Sequence, residues 1–122
     1  MTKILIIEDH VDMRYLLEWQ VELMGFVALS ATSAEDGVKI AIAEKPALIL
    51  MDIMMPNIDG LEATRMLRAN AETRIIPILV ASALFRNSDI EACMAAGCTS
   101  HIAKPFTFAE LQMKIRELIH SS

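Results

Sequence analysis

The chain has 122 residues and a mass of 13.5 kDa, which fits one domain and leaves no room for a second. It is 54% hydrophobic, 5% aromatic and 22% charged, with four Gly and four Pro, which excludes a disordered tail, a collagen-like chain and a disulfide-stapled miniprotein. Eleven Lys and Arg stand against 16 Asp and Glu, a net charge of −5, so no direct nucleic-acid partner is expected. The longest apolar runs, at 4–7 and 47–51, are far shorter than the roughly 20 residues a bilayer span needs. The start, Met1-Thr2-Lys3 followed by a short apolar run and Glu8-Asp9, is too short and too acidic for a signal peptide. No membrane association and a cytoplasmic location are therefore expected. Cys93 and Cys98 are too few for a four-ligand metal site and read as small buried hydrophobes.

Short apolar runs alternate with longer amphipathic ones. Ile4-Leu5-Ile6-Ile7 is continuous rather than alternating in polarity, the pattern of a strand buried on both faces. Met13, Leu17, Val21 and Met24 fall at helical spacing within 11–24, and Gly25 is the expected stop. Residues 26–31 form a second strand. Ser33 with Asp36 three residues on approximates a capping box for a helix to about Glu44, which Lys45-Pro46 ends. A third buried strand covers 47–51. Asp59-Gly60 opens a helix to about Ala69, and 75–81 is a fourth strand that tolerates Pro77 near its start. Asn87 or Ser88 caps a helix with Ile90, Cys93 and Met94 on one side, closed by Gly97. A short fifth strand covers 99–103. The last helix, about 107–120, sets Phe108, Leu111, Ile115 and Leu118 on its inner face.

Five strands alternating with five helices predict an α/β, doubly wound, five-stranded parallel sheet covered on both faces, because parallel neighbours need crossover helices. In such a sheet, ligands bind beyond the carboxyl ends of the strands. The residues that follow the apolar runs there are Glu8 and Asp9, then Asp52, Ser82 and Lys104. Three carboxylates in one crevice repel unless a proton or cation intervenes, and oxygen-only ligands suit a hard divalent ion, Mg²⁺ or Mn²⁺. With an ammonium and a hydroxyl opposite, the set makes a pocket for a phosphoryl group, and Asp52 is the candidate nucleophile. Taken singly, each residue has a bland explanation: Asp9 as the cap of the first helix, Ser82 as a loop residue, Lys104 as a solvated lysine. Their coincidence at the ends of four strands has none.

These residues resemble the response-regulator receiver domain of two-component signalling. The resemblance rests on Glu8-Asp9, on Asp52 within Leu50-Met51-Asp52-Ile53-Met54-Met55-Pro56, on Asp59-Gly60, on Ser82-Ala83 and on Lys104-Pro105-Phe106, and it runs over essentially the whole chain, from Ile4 to Leu118. It implies a flavodoxin-like fold with strand order 2-1-3-4-5 and a cis Lys104–Pro105 bond. It implies that Asp52 accepts a phosphoryl group from a histidine kinase or a histidine phosphotransfer protein. Asp9, Asp52 and the backbone carbonyl of Met54 would hold the metal, with Glu8 acting through water, while Ser82 and Lys104 hold phosphoryl oxygens. It further implies a switch in which Ser82 moves inward and His101, where the family often has Tyr or Phe, rotates behind it. The face built from the fourth helix, fifth strand and fifth helix would then be reshaped for a downstream target protein. Met54 and Leu84 are apolar at positions that flank the line of water attack, so slow hydrolysis of the phosphoryl group is expected. Arg14, Tyr15 and Trp19 lie off the buried stripe of the first helix and are candidates for a partner interface.

The leading reading is a single receiver domain, 1–122, that stands alone. Alternatives are a receiver cut from a hybrid kinase or transcription factor, and a pseudo-receiver that binds a partner without being phosphorylated. A flavin-binding relative would want a Ser/Thr/Gly-rich loop where Glu8-Asp9-His10 stands. A phosphatase with an Asp nucleophile would want an acid where Met54 stands.

Overall fold

Continuous apolar runs become strands, because only a strand sandwiched between helix layers hides both of its faces from water. In a computed structural model, which describes residues 1–52, 60–83 and 87–120, the chain alternates strand and helix throughout. The elements are β1 (Lys3–Ile7), α1 (Val11–Leu23), β2 (Val27–Ala31), α2 (Ala34–Glu44), β3 (Leu48–Asp52), α3 (Gly60–Ala69), β4 (Ile78–Ser82), α4 (Asn87–Ala96), β5 (Ser100–Ala103) and α5 (Phe108–His120). All strand pairs are parallel and the sheet order is β2-β1-β3-β4-β5, as the sequence and the resemblance predict.

Alternation along each strand divides the core into two layers. Leu5, Ile7, Ile49, Met51, Ile78 and Val80 face α2, α3 and α4, whose Val38, Leu67 and Cys93 complete that layer. Ile4, Ile6, Leu48, Leu50, Leu79 and Ile102 face α1 and α5, against Leu17, Val21, Leu111 and Ile115. The side chains of Ile4, Leu5, Ile6 and Ile7 are fully buried, each contributing about 1.5–3 kcal/mol relative to an exposed position.

Most expected boundaries hold to within a residue or two. Ser33 caps α2, its Oγ accepting the Asp36 N–H at 3.2 Å, and Gly25 and Gly97 leave α1 and α4 with φ of +93° and +111°. Cys93 and Cys98 are buried free thiols, and burial pushes the Cys93 thiol up to about 11. Two expectations need correction. The fourth strand starts at Ile78 rather than residue 75: Ile75 is 84% exposed, and the N–H groups of Thr73, Arg74 and Ile76 close turns onto Asn70 and Thr73 instead of a ladder. Pro77 has no N–H to donate, which sets the boundary. On α4, Cys93 is buried but Met94 is 51% exposed, so the inward face is narrower than its apolar residues suggest.

Helix α2 approaches β1 most closely at Gly37, beside the buried Ala34, Val38 and Ala41. A Cβ added at Gly37 would come within 2.3 Å of Ile7 Cδ1 and 2.7 Å of its Cγ1, and Ile7 is fully buried. Gly37→Ala, although favourable to helix propensity, is expected to lower stability by about 1–3 kcal/mol in chemical denaturation. In an Ile7→Ala background the same change should cost less or stabilise; an equal cost in both backgrounds would show that the contact is not responsible.

Candidate functional site

Because every strand is parallel, all five carboxyl ends open onto one edge of the sheet. Glu8 and Asp9 follow β1, Asp52 closes the adjacent β3, Ser82 closes β4, and Lys104 follows β5. The ladder continues past the strand ends and fixes their backbones: the Glu8 N–H donates to Ala31 O at 3.1 Å and the Lys104 N–H to Ser82 O at 2.9 Å. Asp52 pairs with Ala81, so Ser82 lies one position beyond it along β4. The Lys104–Pro105 bond is cis.

One carboxylate oxygen from each of Glu8, Asp9 and Asp52 lies within 4.8 Å of the others. Lys104 reaches the same group, its Nζ 3.4 Å from Glu8 Oε1 and 3.5 Å from Asp52 Oδ2. Glu8 is only 2% exposed, whereas Asp9 is open to solvent. Glu8 Oε2 accepts the His10 N–H at 3.3 Å, and its carbonyl accepts Arg14 Nη1 at 3.3 Å. Burial holds the Glu8 carboxyl above its usual range, and the Asp52 charge pushes it the same way against the pull of His10 and Lys104. Among the described residues, three acids and one ammonium leave an excess of negative charge in a partly dry notch. The donors are all oxygen, with no His or Cys among the cluster, and this set fits a hard divalent cation.

The structure therefore brings Glu8, Asp9, Asp52 and Lys104 together and sets the buried Ser82 at the same edge. His101 is half-buried in β5, paired with Val80, and by alternation it shares with Ser82 the sheet face covered by α4. The expected parts played by Met54 and Leu84 fall outside the described residues. Asp9 is not the cap of α1: His10 is, its Nδ1 accepting the Met13 N–H at 3.3 Å, which leaves the Asp9 side chain to the acidic cluster. Histidine is not among the usual capping residues, so the sequence carried no signal for that role. Nor did it show the cavity of about 330 Å³ beside Lys104, walled by Met13, Leu16, Gln20 and Phe106, which forms only where α1 meets the turn after β5.

Comparison with known proteins matches residues 4–116 to the response regulator receiver domain family. The protein PilH of Pseudomonas aeruginosa is 36% identical over 86% of this chain and 87% of its own length. A probable transcriptional regulator, ycf27, of Porphyridium aerugineum is 33% identical over 96% of this chain but 48% of its own length; the chain spans about half the length of most curated relatives it matches. Among solved structures, the receiver domain of the sensor histidine kinase PA1611 of P. aeruginosa superposes with a TM-score of 0.91 at 32% identity, covering 98% of both chains. That structure holds a magnesium ion in its active-site cleft.

The geometry gives opposite signs for two substitutions in a calorimetric Mg²⁺ titration. Asp52→Asn removes a ligand charge and should weaken binding about tenfold or more. Lys104→Ala removes a competing cation from the same carboxylates and should tighten binding about fivefold, the equivalent of ~1 kcal/mol of relieved repulsion. Weaker binding in Lys104→Ala would show that the ion sits elsewhere.

Proposed function

Because the chain belongs to the response regulator receiver domain family, we propose that Asp52 accepts a phosphoryl group from a phosphohistidine donor, and that its capture changes the face presented to a downstream protein. The observation that supports this most strongly is the position of Asp52 Oδ2, 3.5 Å from Lys104 Nζ and within the three-acid cluster. A carboxylate oxygen of Asp52 forms the new bond to phosphorus. The phosphorus–nitrogen bond of the donor breaks, and its electron pair returns to the imidazole. Lys104 balances charge on the transferring oxygens, and the Ser82 hydroxyl is the donor available to them from β4. Asp9 and Asp52, with the Met54 carbonyl and with Glu8 through water, would hold a Mg²⁺ or Mn²⁺ ion, which supplies neutralisation of the phosphoryl charge when bound. Apolar Met54 and Leu84 would then slow hydrolysis, because neither can orient a water for attack.

The captured group adds about −1.5 to −2 charges to a notch that already carries excess negative charge, so it stabilises whichever packing brings Ser82 and Lys104 onto it. Ser82 and His101 are the proposed switch, and their common sheet face leads to α4. The donor, a histidine kinase or histidine phosphotransfer protein, would approach along α1. There Tyr15 and Trp19 are 61% and 60% exposed, and Leu16 connects them to the cavity beside Lys104. A cytoplasmic location goes with this reading. The length of the curated relatives, about twice that of this chain, favours a second form of it, in which this receiver is one unit of a longer regulator.

Incubation with Mg²⁺ and acetyl phosphate, followed by intact mass measurement, should add one phosphoryl group to the wild type and none to Asp52→Asn. Lys104→Met should slow the gain about tenfold or more. An adduct that persists in Asp52→Asn would place the acceptor elsewhere, and no adduct in wild type would favour a pseudo-receiver.

A further inference from the structure

The turn that closes α4 brings two thiols together. The Cys98 N–H donates to Cys93 O at 3.0 Å and the Gly97 N–H to Met94 O at 3.1 Å, with Gly97 at a φ of +111°. Nested bonds of this kind around a left-handed glycine fold the residue just past a helix back over the residue five before it. With N and O 3.0 Å apart, standard bond lengths keep the Cα atoms of Cys93 and Cys98 within about 7 Å, a span that a disulfide can bridge. Both side chains enter the same buried layer, and their thiols are close enough to shift each other's titration.

The two sulfurs are not equivalent. Thr64, on α3, donates its hydroxyl proton to Gly60 O at 2.7 Å, so in the 3.7 Å contact between Thr64 Oγ1 and Cys98 Sγ the thiol is the donor. Arg68 is held beside the same turn, its Nε donating to Gly97 O at 2.8 Å. Burial raises the Cys98 thiol, but Thr64, Cys93 and Arg68 pull it back, whereas burial and the neighbouring Cys98 both push Cys93 up, to about 11. A hydroxyl and a cation beside one thiol of a pair make that sulfur the better nucleophile. Cys93 is 1% exposed and Cys98 4%, which restricts their chemistry to small reagents.

We propose that Cys93 and Cys98 are an oxidant-responsive pair, closing to an intramolecular disulfide when a small peroxide reaches Cys98. The Cys98 sulfur attacks one peroxide oxygen. The O–O bond breaks, a sulfenic acid forms on Cys98, and the departing hydroxide leaves as water with the thiol proton. The Cys93 sulfur then attacks the Cys98 sulfur; the S–S bond forms, the S–O bond breaks, and the Cys93 proton leaves in a second water. The two thiols lose two electrons and two protons in all, and the peroxide is reduced. Thr64 is a positioning residue, orienting Cys98 without itself reacting. The site shares no residue with the acidic cluster, and the inference is independent of the phosphoacceptor reading.

Thiol mapping of the full chain tests it. The folded protein is treated with hydrogen peroxide, free thiols are blocked with iodoacetamide in denaturant, and disulfides are then reduced and labelled with N-ethylmaleimide. Reading the two labels by peptide mapping keeps methionine oxidation out of the comparison. In the wild type both Cys93 and Cys98 should carry the second label while the chain stays monomeric on a non-reducing gel. Iodoacetamide at both positions, or the second label only in covalent dimers, would overturn the pair. This result needs no substitution, so it stands even if a variant folds poorly. Cys93→Ala should form a sulfenic acid at Cys98 that dimedone traps, whereas Cys98→Ala should leave Cys93 reduced; the reverse pattern would overturn the order of attack. Thr64→Val, which keeps the shape and loses the hydroxyl, should slow pairing about threefold or more. An unchanged rate in that variant would overturn the part given to Thr64.

Discussion

Three carboxylates with oxygens within 4.8 Å of one another, faced by a single lysine ammonium, set the terms for the rest of this molecule. Like charges this close repel, and the burial of Glu8 deepens the cost by removing water from it. The fold tolerates the arrangement because the load sits at the rim of an otherwise apolar sheet, where the dry aliphatic layers on both faces hold the strand ends in place. A cluster of like charges gains most from a ligand that supplies positive charge.

The two layers divide the consequences. The α1 and α5 side carries the cavity beside Lys104 and an outer surface on α1 where Tyr15 and Trp19 are exposed. The α2, α3 and α4 side carries Ser82 and His101 on its sheet face, and against it α4, with Cys93 and Ala96 buried. The cavity beside Lys104 and the pair Ser82–His101 thus lie on opposite faces of one sheet.

Much of this was legible from residue order. Ile4 to Ile7 and Leu48 to Met51 are unbroken aliphatic runs, which only a doubly covered parallel sheet accommodates, and each site residue stands at the end of such a run. The misreadings share a cause. Ile75 looked like strand because it is β-branched and apolar, yet the turn bonds around Asn70 and Thr73 and the missing N–H of Pro77 override propensity. Met94 looked inward because it neighbours Cys93, but α4 buries too narrow a stripe to reach it. The cap at His10 was invisible, since it depends on a backbone N–H that carries no side-chain signature and that folding brings to the ring.

The account is tested most directly by diffraction from crystals soaked in Mn²⁺, with data collected at the manganese absorption edge. It predicts one anomalous peak at the carboxyl edge of the sheet, about 2.0–2.2 Å from oxygens of Asp9 and Asp52. A peak elsewhere, or none while the carboxylates of Glu8, Asp9 and Asp52 turn away from one another, would contradict it.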